Sequence, residues 1–267
     1  MRIQTLIVAM NQRDGSLVER MNVQTDAIVG NQCDSDGDVA FRWNGHDVIY
    51  LNRSERGVGR NRNLVLSHLT ADICVLADDD LHFVDGYPKL VCEAFAACPD
   101  ADILVFNLIE KRPTRKVNAS YRRIRWYAYG SYGAPRLAAR KDALLRAGVS
   151  FSLDFGGGAR YGSGEDTIFL HDCLRHGLKI FTAPLALAEI DQDAPSTHFT
   201  GFDRKFFFDK GAAYACLHPV LHPLFTLAYL LRHRGEHRDA MSLSKSWGAM
   251  ASGALDYLGH SGSRHEI

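Results

Sequence analysis

The residues best suited to chemistry are three consecutive carboxylates, Asp78, Asp79 and Asp80, which directly follow the apolar run at 73–77. Such a run is typical of a strand covered on both faces, and open parallel sheets bind ligands beyond the carboxyl ends of their strands. Because side chains alternate along an extended chain, Asp78 and Asp80 can face one side and Asp79 the other. Neighbouring carboxylates repel each other unless a cation offsets their charge. The triplet therefore favours a site for Mg²⁺ or Mn²⁺ with a diphosphate, and the alternative is a solvated turn, in which aspartates are common.

A second pair of carboxylates, Glu165 and Asp166, follows the glycine-rich stretch 155–164 and opens a predicted amphipathic helix at 165–176. A carboxylate at this place can accept a proton from an attacking hydroxyl group. Ser163 and Asp166 also have the spacing of a capping box, and acidic residues suit a helix N-terminus. Taken alone, the pair favours the cap.

Arg62 is the third residue of interest, because it lies on an apolar stripe formed by Val58, Val65 and Leu69 at helical spacing. An arginine that faces a protein core needs an anionic partner. A carboxylate of the triplet or a bound nucleotide would supply one. The alternative is a side chain that extends to the surface.

The elements that must position these residues alternate between strand and helix over the first two thirds of the chain. Strands are predicted at 3–10, 26–30, 47–51, 73–77, 102–108 and 178–182, and helices at 57–69, 87–97, 141–147 and 165–176. This alternation predicts an α/β fold with an open, mostly parallel sheet flanked by helices.

The chain changes character after this region, which suggests its organisation. We expect a main domain at 1–195, with a nucleotide-binding half at 1–110 and an acceptor-binding half at 111–195. An aromatic and helical C-terminal extension of the same domain is expected at 196–258, and a disordered tail at 259–267.

Composition excludes several classes of function. Lysine plus arginine (31) equals aspartate plus glutamate (31), whereas a nucleic-acid-binding domain is usually basic. None of the six cysteines forms a C-x-x-C pair, which argues against structural zinc and favours a reducing compartment. The N-terminal apolar run is too short for a secretory signal, and no stretch reaches the ~18 consecutive apolar residues of a membrane span. We therefore expect a cytoplasmic protein without a nucleic-acid partner.

Taken together and in this order, the motifs resemble those of family 2 glycosyltransferases of the GT-A fold, over residues 3–182. The resemblance is carried by Met10-Asn11 at the end of the first strand and by the segments GRNRNLVL, ADICVLADDD and YGSGEDTIFLHDCLRHGLKI. It implies inverting transfer of a sugar from a nucleoside-diphosphate sugar to an acceptor hydroxyl, with Mn²⁺ or Mg²⁺ as cofactor. The Q-x-x-R-W signature of processive synthases is absent, which favours single additions.

The resemblance also assigns roles to individual residues. Asp80 is similar to the metal-binding aspartate, and Asp78 to the partner that contacts the ribose or the metal, with Asp79 between them at the donor site. Asp166 is similar to the catalytic base, with Glu165 beside it.

Further donor-binding residues follow from the same resemblance. Arg62 would lie near the nucleotide base, and Met10, Asn11 and Arg13 occupy the first loop, which meets the base. Asn31 stands where the family usually has an acidic residue. His198 is either a late ligand of the metal or phosphate, or a structural histidine among aromatic residues.

The implied function is synthesis of bacterial surface polysaccharide or glycolipid, with a glycan or lipid-linked acceptor. The alternatives are an inactive sugar-nucleotide-binding protein and a sugar nucleotidyltransferase, although MNQRDGSL is a poor match to the phosphate loop of the latter.

Two further segments leave alternatives open. The seven basic residues in 111–125 can hold a phosphate-bearing acceptor or approach anionic lipid at the inner face of the membrane, or they form a solvated hairpin. The apolar stretch 217–231 is either an interfacial helix or a buried packing or dimer helix. The sequence does not determine the oligomeric state.

Overall fold

A computed structural model describes residues 1–193 and 201–262, with side chains as far as residue 260. These residues form two compact units, which are described separately. The sheet unit comprises Met1–Phe151 and residues 169–193, and the helical unit comprises Ser152–Ile168 and residues 201–262.

The sheet unit is built on a single sheet, which has ten strands within the described residues. The strands are β1 (Ile3–Met10), β2 (Asp26–Gln32), β3 (Gly37–Trp43), β4 (His46–Arg53), β5 (Ile73–Asp78), β6 (Leu81–Phe83), β7 (Ile103–Ile109), β8 (Arg122–Arg123), β9 (Leu137–Arg140) and β10 (Ile180–Ile190). Their order is β3-β4-β2-β1-β5-β9-β7-β10-β6, with β8 paired to β10.

Most of the long strands run in one direction. Parallel pairs join β4 to β2, β2 to β1, β1 to β5 and β7 to β10, whereas β3, β6, β8 and β9 are antiparallel to their neighbours. The predicted α/β class, a mostly parallel sheet flanked by helices, is confirmed.

The helices that accompany the sheet are α1 (Leu17–Arg20), α2 (Val58–Ser67), α3 (Tyr87–Ala97), α4 (Lys141–Ala147) and α5 (Glu165–Arg175), and a 3-10 turn covers Ala134–Arg136. Apart from α1, which the sequence did not predict, these helices have bounds close to the predicted ones. The first four residues of α5 belong to the helical unit. One face of the sheet packs on α1 and α3, through buried side chains such as Leu17, Val91 and Phe95.

Helix α2 approaches the sheet closely at Gly30 of β2. A Cβ atom on Gly30 would lie 2.1 Å from Asn61 Oδ1, and Asn61 Nδ2 donates a hydrogen bond to Gly30 O (2.7 Å). This close approach fixes the helix that carries Arg62 over the first strands.

The sheet order places a switch point at the carboxyl end of β1. From β1 the chain adds β2 and β4 on one side and then returns to place β5 on the other. In open α/β sheets, the crevice outside such a point is where ligands bind. The triplet at the end of β5 therefore lies at the place where the topology favours a ligand.

The helical unit contains α6 (Arg204–Leu217), α7 (His222–Arg232), α8 (Arg234–His237) and α9 (Leu243–Gly262). Helices α6 and α9 meet at two glycines. A Cβ on Gly211 would lie 1.9 Å from Met250 O, and one on Gly253 would lie 1.9 Å from Phe208 O. Only glycine allows the two backbones to come this close.

The glycine-rich stretch 155–164 is tied to α9. Arg160 Nη2 lies 2.8 Å from Asp256 Oδ1, and the hydroxyl of Tyr161 donates to Asp256 Oδ2 (2.7 Å). Tyr161 is fully buried. Within the helical unit this stretch is therefore held by hydrogen bonds at its second half.

The apolar stretch 217–231 is not one helix, because α6 ends at Leu217 and α7 begins at His222. Helix α7 buries Leu230 and leaves Leu224 exposed. Among the described helices, none combines the length and apolar character needed to cross a bilayer. Helix α9 continues to Gly262 and so covers the start of the stretch 259–267 for which the sequence predicts disorder.

Candidate functional site at the carboxyl edge of the sheet

The first aspartate of the triplet pairs with the helix arginine. Arg62 is 4% exposed, and its Nη2 lies 3.0 Å from Asp78 Oδ1. The guanidinium also lies over the ring of Phe151, 5.2 Å from its centroid. Arg62 therefore faces the interior and contacts a carboxylate of the triplet, which is the kind of partner that its place on the apolar stripe requires.

The chain is not extended through the whole triplet. Strand β5 ends at Asp78, and Asp79 and Asp80 form the turn into β6. The expected alternation, with Asp78 and Asp80 on one side, therefore does not describe this segment. Asp79 instead lies against the first loop, where its Oδ2 is 3.4 Å from Met10 N and 3.4 Å from Gln12 Nε2.

The side chain of Asp80 is the least satisfied group of the triplet. Its Oδ1 atom is buried and has no hydrogen-bond partner among the described residues. Burial, followed by repulsion from Asp78 and Asp79, raises the pKa of Asp80 to about 6. Burial also raises the pKa of Asp79, and repulsion from Asp78 adds to this effect although the hydrogen bond from Met10 opposes it.

These observations are better explained by a site for a divalent cation than by carboxylates that bind no ligand. A buried carboxylate oxygen without a donor, beside two further carboxylates, offers the hard oxygen ligands that Mg²⁺ and Mn²⁺ prefer. The described residues contain no group of three or more His, Cys, Asp or Glu side chains arranged to hold a metal ion. Asp80, with Asp78 beside it, could therefore supply only part of a coordination shell, and substrate phosphates typically supply the rest for Mg²⁺.

The loop after β1 is shaped by Asn31. This residue is buried, its Oδ1 accepts from Gln12 N (3.0 Å), and its Nδ2 donates to Gln12 O (2.9 Å) and to Asn52 Oδ1 (2.7 Å). Asn11 adopts a positive φ of 53°, and Met10 is 45% exposed. Both side-chain atoms of Asn31 thus have hydrogen-bond partners among the described residues, and these bonds position the loop after β1.

A cavity of about 240 Å³ opens beside this loop. Arg13, Phe41, Tyr50 and Asn52 contribute to its lining. The hydroxyl of Tyr50 is buried and has no hydrogen-bond partner among the described residues, and burial raises the pKa of Tyr50 to about 12. An aromatic wall with a neutral hydroxyl and an amide is suited to a planar polar ligand such as a nucleobase.

Phe41 lies on β3, a strand that the sequence did not predict, and the hairpin that places Phe41 beside Tyr50 of β4 was therefore missed. A signal was present: Asn44 and Gly45 have φ angles of 47° and 87°, as in a type I′ turn, and Asn-Gly is the strongest short-range hairpin pattern.

Arg136 is a further residue that the sequence did not single out. It is 3% exposed, and its Nε donates to Phe106 O (2.7 Å) and its Nη2 to Asn107 Oδ1 (3.3 Å), near the carboxyl end of β7. Burial lowers the pKa of its guanidinium. The described residues include no carboxylate within ion-pair distance of Arg136, and only the folded chain reveals this cation at the same edge of the sheet.

Glu165 and Asp166 belong to the helical unit, where they occupy the first turn of α5 and are partly buried. Helix α5 begins at Glu165, and the residue directly before it is Gly164, which has a φ of 116°. Ser163 therefore lies one residue too early for the predicted capping box. His198, the predicted late ligand, lies outside the described residues.

No protein-family model and no curated protein matches this sequence. The structure, however, is similar to that of S. aureus TarS 1–349 in complex with UDP-GlcNAc, with a TM-score of 0.62 and 12% identity over 90% of this chain and 74% of that chain. The same protein in complex with UDP gives a TM-score of 0.59 at 13% identity, with the same coverage.

A mannosyltransferase from Pyrobaculum calidifontis, PcManGT, is also similar. Its complex with GDP-Man and Mn²⁺ gives a TM-score of 0.50 at 12% identity, over 98% of this chain and 80% of that chain. Similarities at this level of identity show the fold alone, and they do not separate family 2 from other glycosyltransferases. The fold of this chain, a mostly parallel sheet flanked by helices with a helical C-terminal part, matches that of these GT-A-like glycosyltransferases.

Proposed function

We propose that this protein is a glycosyltransferase that uses a nucleoside-diphosphate sugar as donor and a divalent cation as cofactor. The observation that carries the proposal is the buried Asp80 Oδ1, which has no hydrogen-bond partner among the described residues, at the switch point of a glycosyltransferase-like sheet. A buried charge without a compensating partner lowers the free energy of unfolding. Such a group at a ligand-binding edge is typical of a functional site.

The donor would lie along the carboxyl edge of the sheet. The cavity beside Arg13 and Tyr50 would hold the nucleoside, and Asp78 and Asp80 would hold the cation against the diphosphate. A bound cation at this place would neutralise the charge that develops on the leaving diphosphate. Arg62 would keep Asp78 oriented through their 3.0 Å contact.

The structural neighbours support the donor class. Their complexes contain UDP-GlcNAc, UDP, and GDP-Man with Mn²⁺. We extend this chemistry to the present chain as part of the proposal, and the sugar and the nucleotide are left open.

Within this proposal Asp166 is the general base, with Glu165 beside it. The support is the resemblance of GSGEDTIFL to the family motif and the place of both residues at the start of α5. A carboxylate base on the face opposite the leaving group would give inversion at the anomeric carbon. The acceptor would be a glycan or a lipid-linked acceptor, and we propose a role in bacterial surface polysaccharide or glycolipid synthesis.

The proposal is tested by incubating the protein with a panel of UDP- and GDP-sugars and Mn²⁺, and measuring release of nucleoside diphosphate. We expect release from at least one donor and a loss of at least about 100-fold in Asp80→Asn, because the metal supplies several kcal/mol of charge stabilisation. Asp142→Asn, on the exposed face of α4, is the matched control and should retain the parent rate.

Two outcomes would contradict the proposal. Donor binding without release from any donor, with or without added glycans, would favour an inactive sugar-nucleotide-binding protein. Release that is equal in the parent and in Asp80→Asn would remove the triplet from the reaction.

A further inference from the structure

The basic segment, residues 111–125, contains seven lysine and arginine residues and no acidic residue. Two of its cations are paired: Arg112 with Asp193 (2.8 Å) and Arg115 with Glu110. The other five are exposed and have no ion-pair partner among the described residues; they are Lys111, Lys116, Arg122, Arg123 and Arg125.

The backbone of the basic segment is held in place at its start and in its middle. Arg112 N donates to Gln192 Oε1 (2.7 Å), and Gln192 Nε2 donates back to Arg112 O (2.8 Å). In the middle, Asn118 N donates to Asn107 Oδ1 (2.8 Å), and Asn107 Nδ2 donates to Asn118 O (3.0 Å). Because these contacts order the chain before any ligand binds, an anionic ligand would not have to order the backbone.

The end of the basic segment is held by β10. Arg122 and Arg123 form β8, which pairs with Thr182 and Phe181 near the start of β10. Arg112, at the other end of the segment, contacts Gln192, which lies just beyond the end of β10. At about 3.3 Å per residue, and with the register shifts of β10 between Thr182 and Ala188 taken into account, the segment extends roughly 25 Å along the sheet.

One end of this path lies at the proposed donor site. Asp191, which precedes Gln192, donates its backbone N–H to Asp80 O (2.8 Å). The start of the basic segment, at Arg112 and Gln192, thus lies close to the carboxylate triplet.

An exposed aromatic pair follows the last arginine of the segment. Trp126 is 67% exposed, Tyr127 is 73% exposed, and their ring centroids are 5.6 Å apart. Ile124 and Tyr129 on either side are buried, which anchors the pair. Flat aromatic faces beside arginines suit a ligand that carries both sugar rings and phosphates.

We propose that the basic segment, with Trp126 and Tyr127, is the binding track for an extended acceptor that carries several phosphate groups. This inference rests on the proposed transferase function, because it names the acceptor class of the same site. The spread of charges over roughly 25 Å fits a chain of phosphates better than a single phosphate group. A membrane surface is less well matched, because stable binding to a bilayer requires a buried apolar face, and this stretch exposes few large apolar side chains besides Val117 and the aromatic pair.

The test uses the full-length protein and inorganic polyphosphate as the probe. Binding of long-chain polyphosphate, triphosphate and orthophosphate is measured at several salt concentrations. We expect affinity to rise with chain length and to fall steeply with salt, as expected when several phosphates are neutralised. The triple variant Arg122→Gln, Arg123→Gln and Arg125→Gln should bind long-chain polyphosphate at least about tenfold more weakly.

A control variant of equal charge separates the track from net charge. Arg42→Gln, Arg175→Gln and Arg238→Gln change three exposed arginines elsewhere, and this variant should bind polyphosphate within about twofold of the parent. Equal losses in both triple variants, or affinity that does not depend on chain length, would overturn the proposal.

Two further measurements locate the source of any failure. Vesicles with anionic headgroups are tested in parallel. If the Arg122, Arg123 and Arg125 variant loses vesicle binding but keeps polyphosphate binding, the basic segment is a membrane-binding segment instead. Binding of UDP and GDP with Mn²⁺ is measured on the same samples. Intact nucleotide binding with no polyphosphate binding contradicts the track alone, and the reverse result contradicts the proposed donor site alone.

Discussion

Two aspartates, Asp256 and Asp80, differ in the hydrogen-bond partners of their carboxylates and in the direction of their pKa shifts. In the helical unit, Asp256 accepts hydrogen bonds from Arg160 and Tyr161, and these interactions lower its pKa. In the sheet unit, Asp80 has a buried Oδ1 without a partner among the described residues, and burial together with repulsion from its neighbours raises its pKa to about 6. The carboxylate of Asp256 is held by side chains of the protein. Asp80 Oδ1 has no such partner among the described residues.

The sheet unit is able to satisfy a carboxylate, as Glu110 shows. Burial acts to raise the pKa of Glu110, but hydrogen bonds from Thr114 and Arg115 and the charge of Arg115 lower it to about 2. The opposite pKa shifts of Glu110 and Asp80 therefore arise from their different local surroundings within the same unit. Under the proposed function, hydrogen-bond satisfaction separates the structural acid Glu110 from the functional acid Asp80 better than burial does.

The largest expected effect concerns Asp166, the proposed base. Asp166→Asn should reduce turnover about 100- to 10,000-fold, the usual loss when a general base is removed. Folding and donor affinity should be retained, because asparagine has the size of aspartate and Asp166, the second residue of α5, is not the N-cap of that helix. The measurement pairs donor affinity with the rate of transfer to a competent acceptor.

Asp172→Asn, later in the same helix, is the control and should keep the parent rate. If Asp166→Asn folds, binds donor and transfers sugar within a few-fold of the parent, Asp166 only supports the helix start, and Glu165 becomes the residue to test.

The next effect compares Asp80 and Asp256 directly. Asp256→Asn should lower the free energy of unfolding by about 1 kcal/mol, because it weakens hydrogen bonds to a charged group that is partly exposed. Asp80→Asn should leave the free energy of unfolding unchanged or raise it, because it removes a buried charge that lacks a partner. Urea denaturation without metal or nucleotide measures both. A loss in Asp80→Asn as large as that in Asp256→Asn would remove the distinction between the two aspartates.

The last prediction is a pH dependence at Glu110. Because its folded pKa lies below the ordinary value of 4.5, the ionised group stabilises the fold above pH 4.5, and this contribution is lost as the pH falls towards about 2. Glu110→Gln should therefore lower the free energy of unfolding by about 1–2 kcal/mol at pH 7. The difference from the parent should shrink as the pH falls below 4.5, and a difference that is constant from pH 7 to pH 3 would contradict the account.

Sequence periodicity predicted the elements that bury a continuous or striped apolar surface. The bounds of α3 and α4 are as predicted, and β1 and β5 agree within one residue, because these segments have their own apolar pattern. Strand β3 was missed because most of its side chains are exposed. Strand β9 was missed because a four-residue strand between β5 and β7 owes its place to its neighbours.

The candidate site divides in the same way. The triplet and Arg62 were found because their residue types and their place in a strand or stripe are visible in the sequence. Tyr50 and Arg136 were not, because an unpaired hydroxyl and a buried cation are defined by what surrounds them in the fold. The close contact of α6 and α9 at Gly211 and Gly253 likewise depends on two glycines far apart in the chain.

In the proposed function, the carboxylate triplet binds a cation together with a nucleoside diphosphate. The most direct measurement is calorimetric titration of UDP and GDP into the parent and into Asp80→Asn, with Mn²⁺ and with a chelator. We predict that the parent binds at least one nucleotide in Mn²⁺, that chelation abolishes or greatly weakens binding, and that Asp80→Asn shows weak binding under both conditions. Equal affinity of the parent in Mn²⁺ and in chelator would contradict the account.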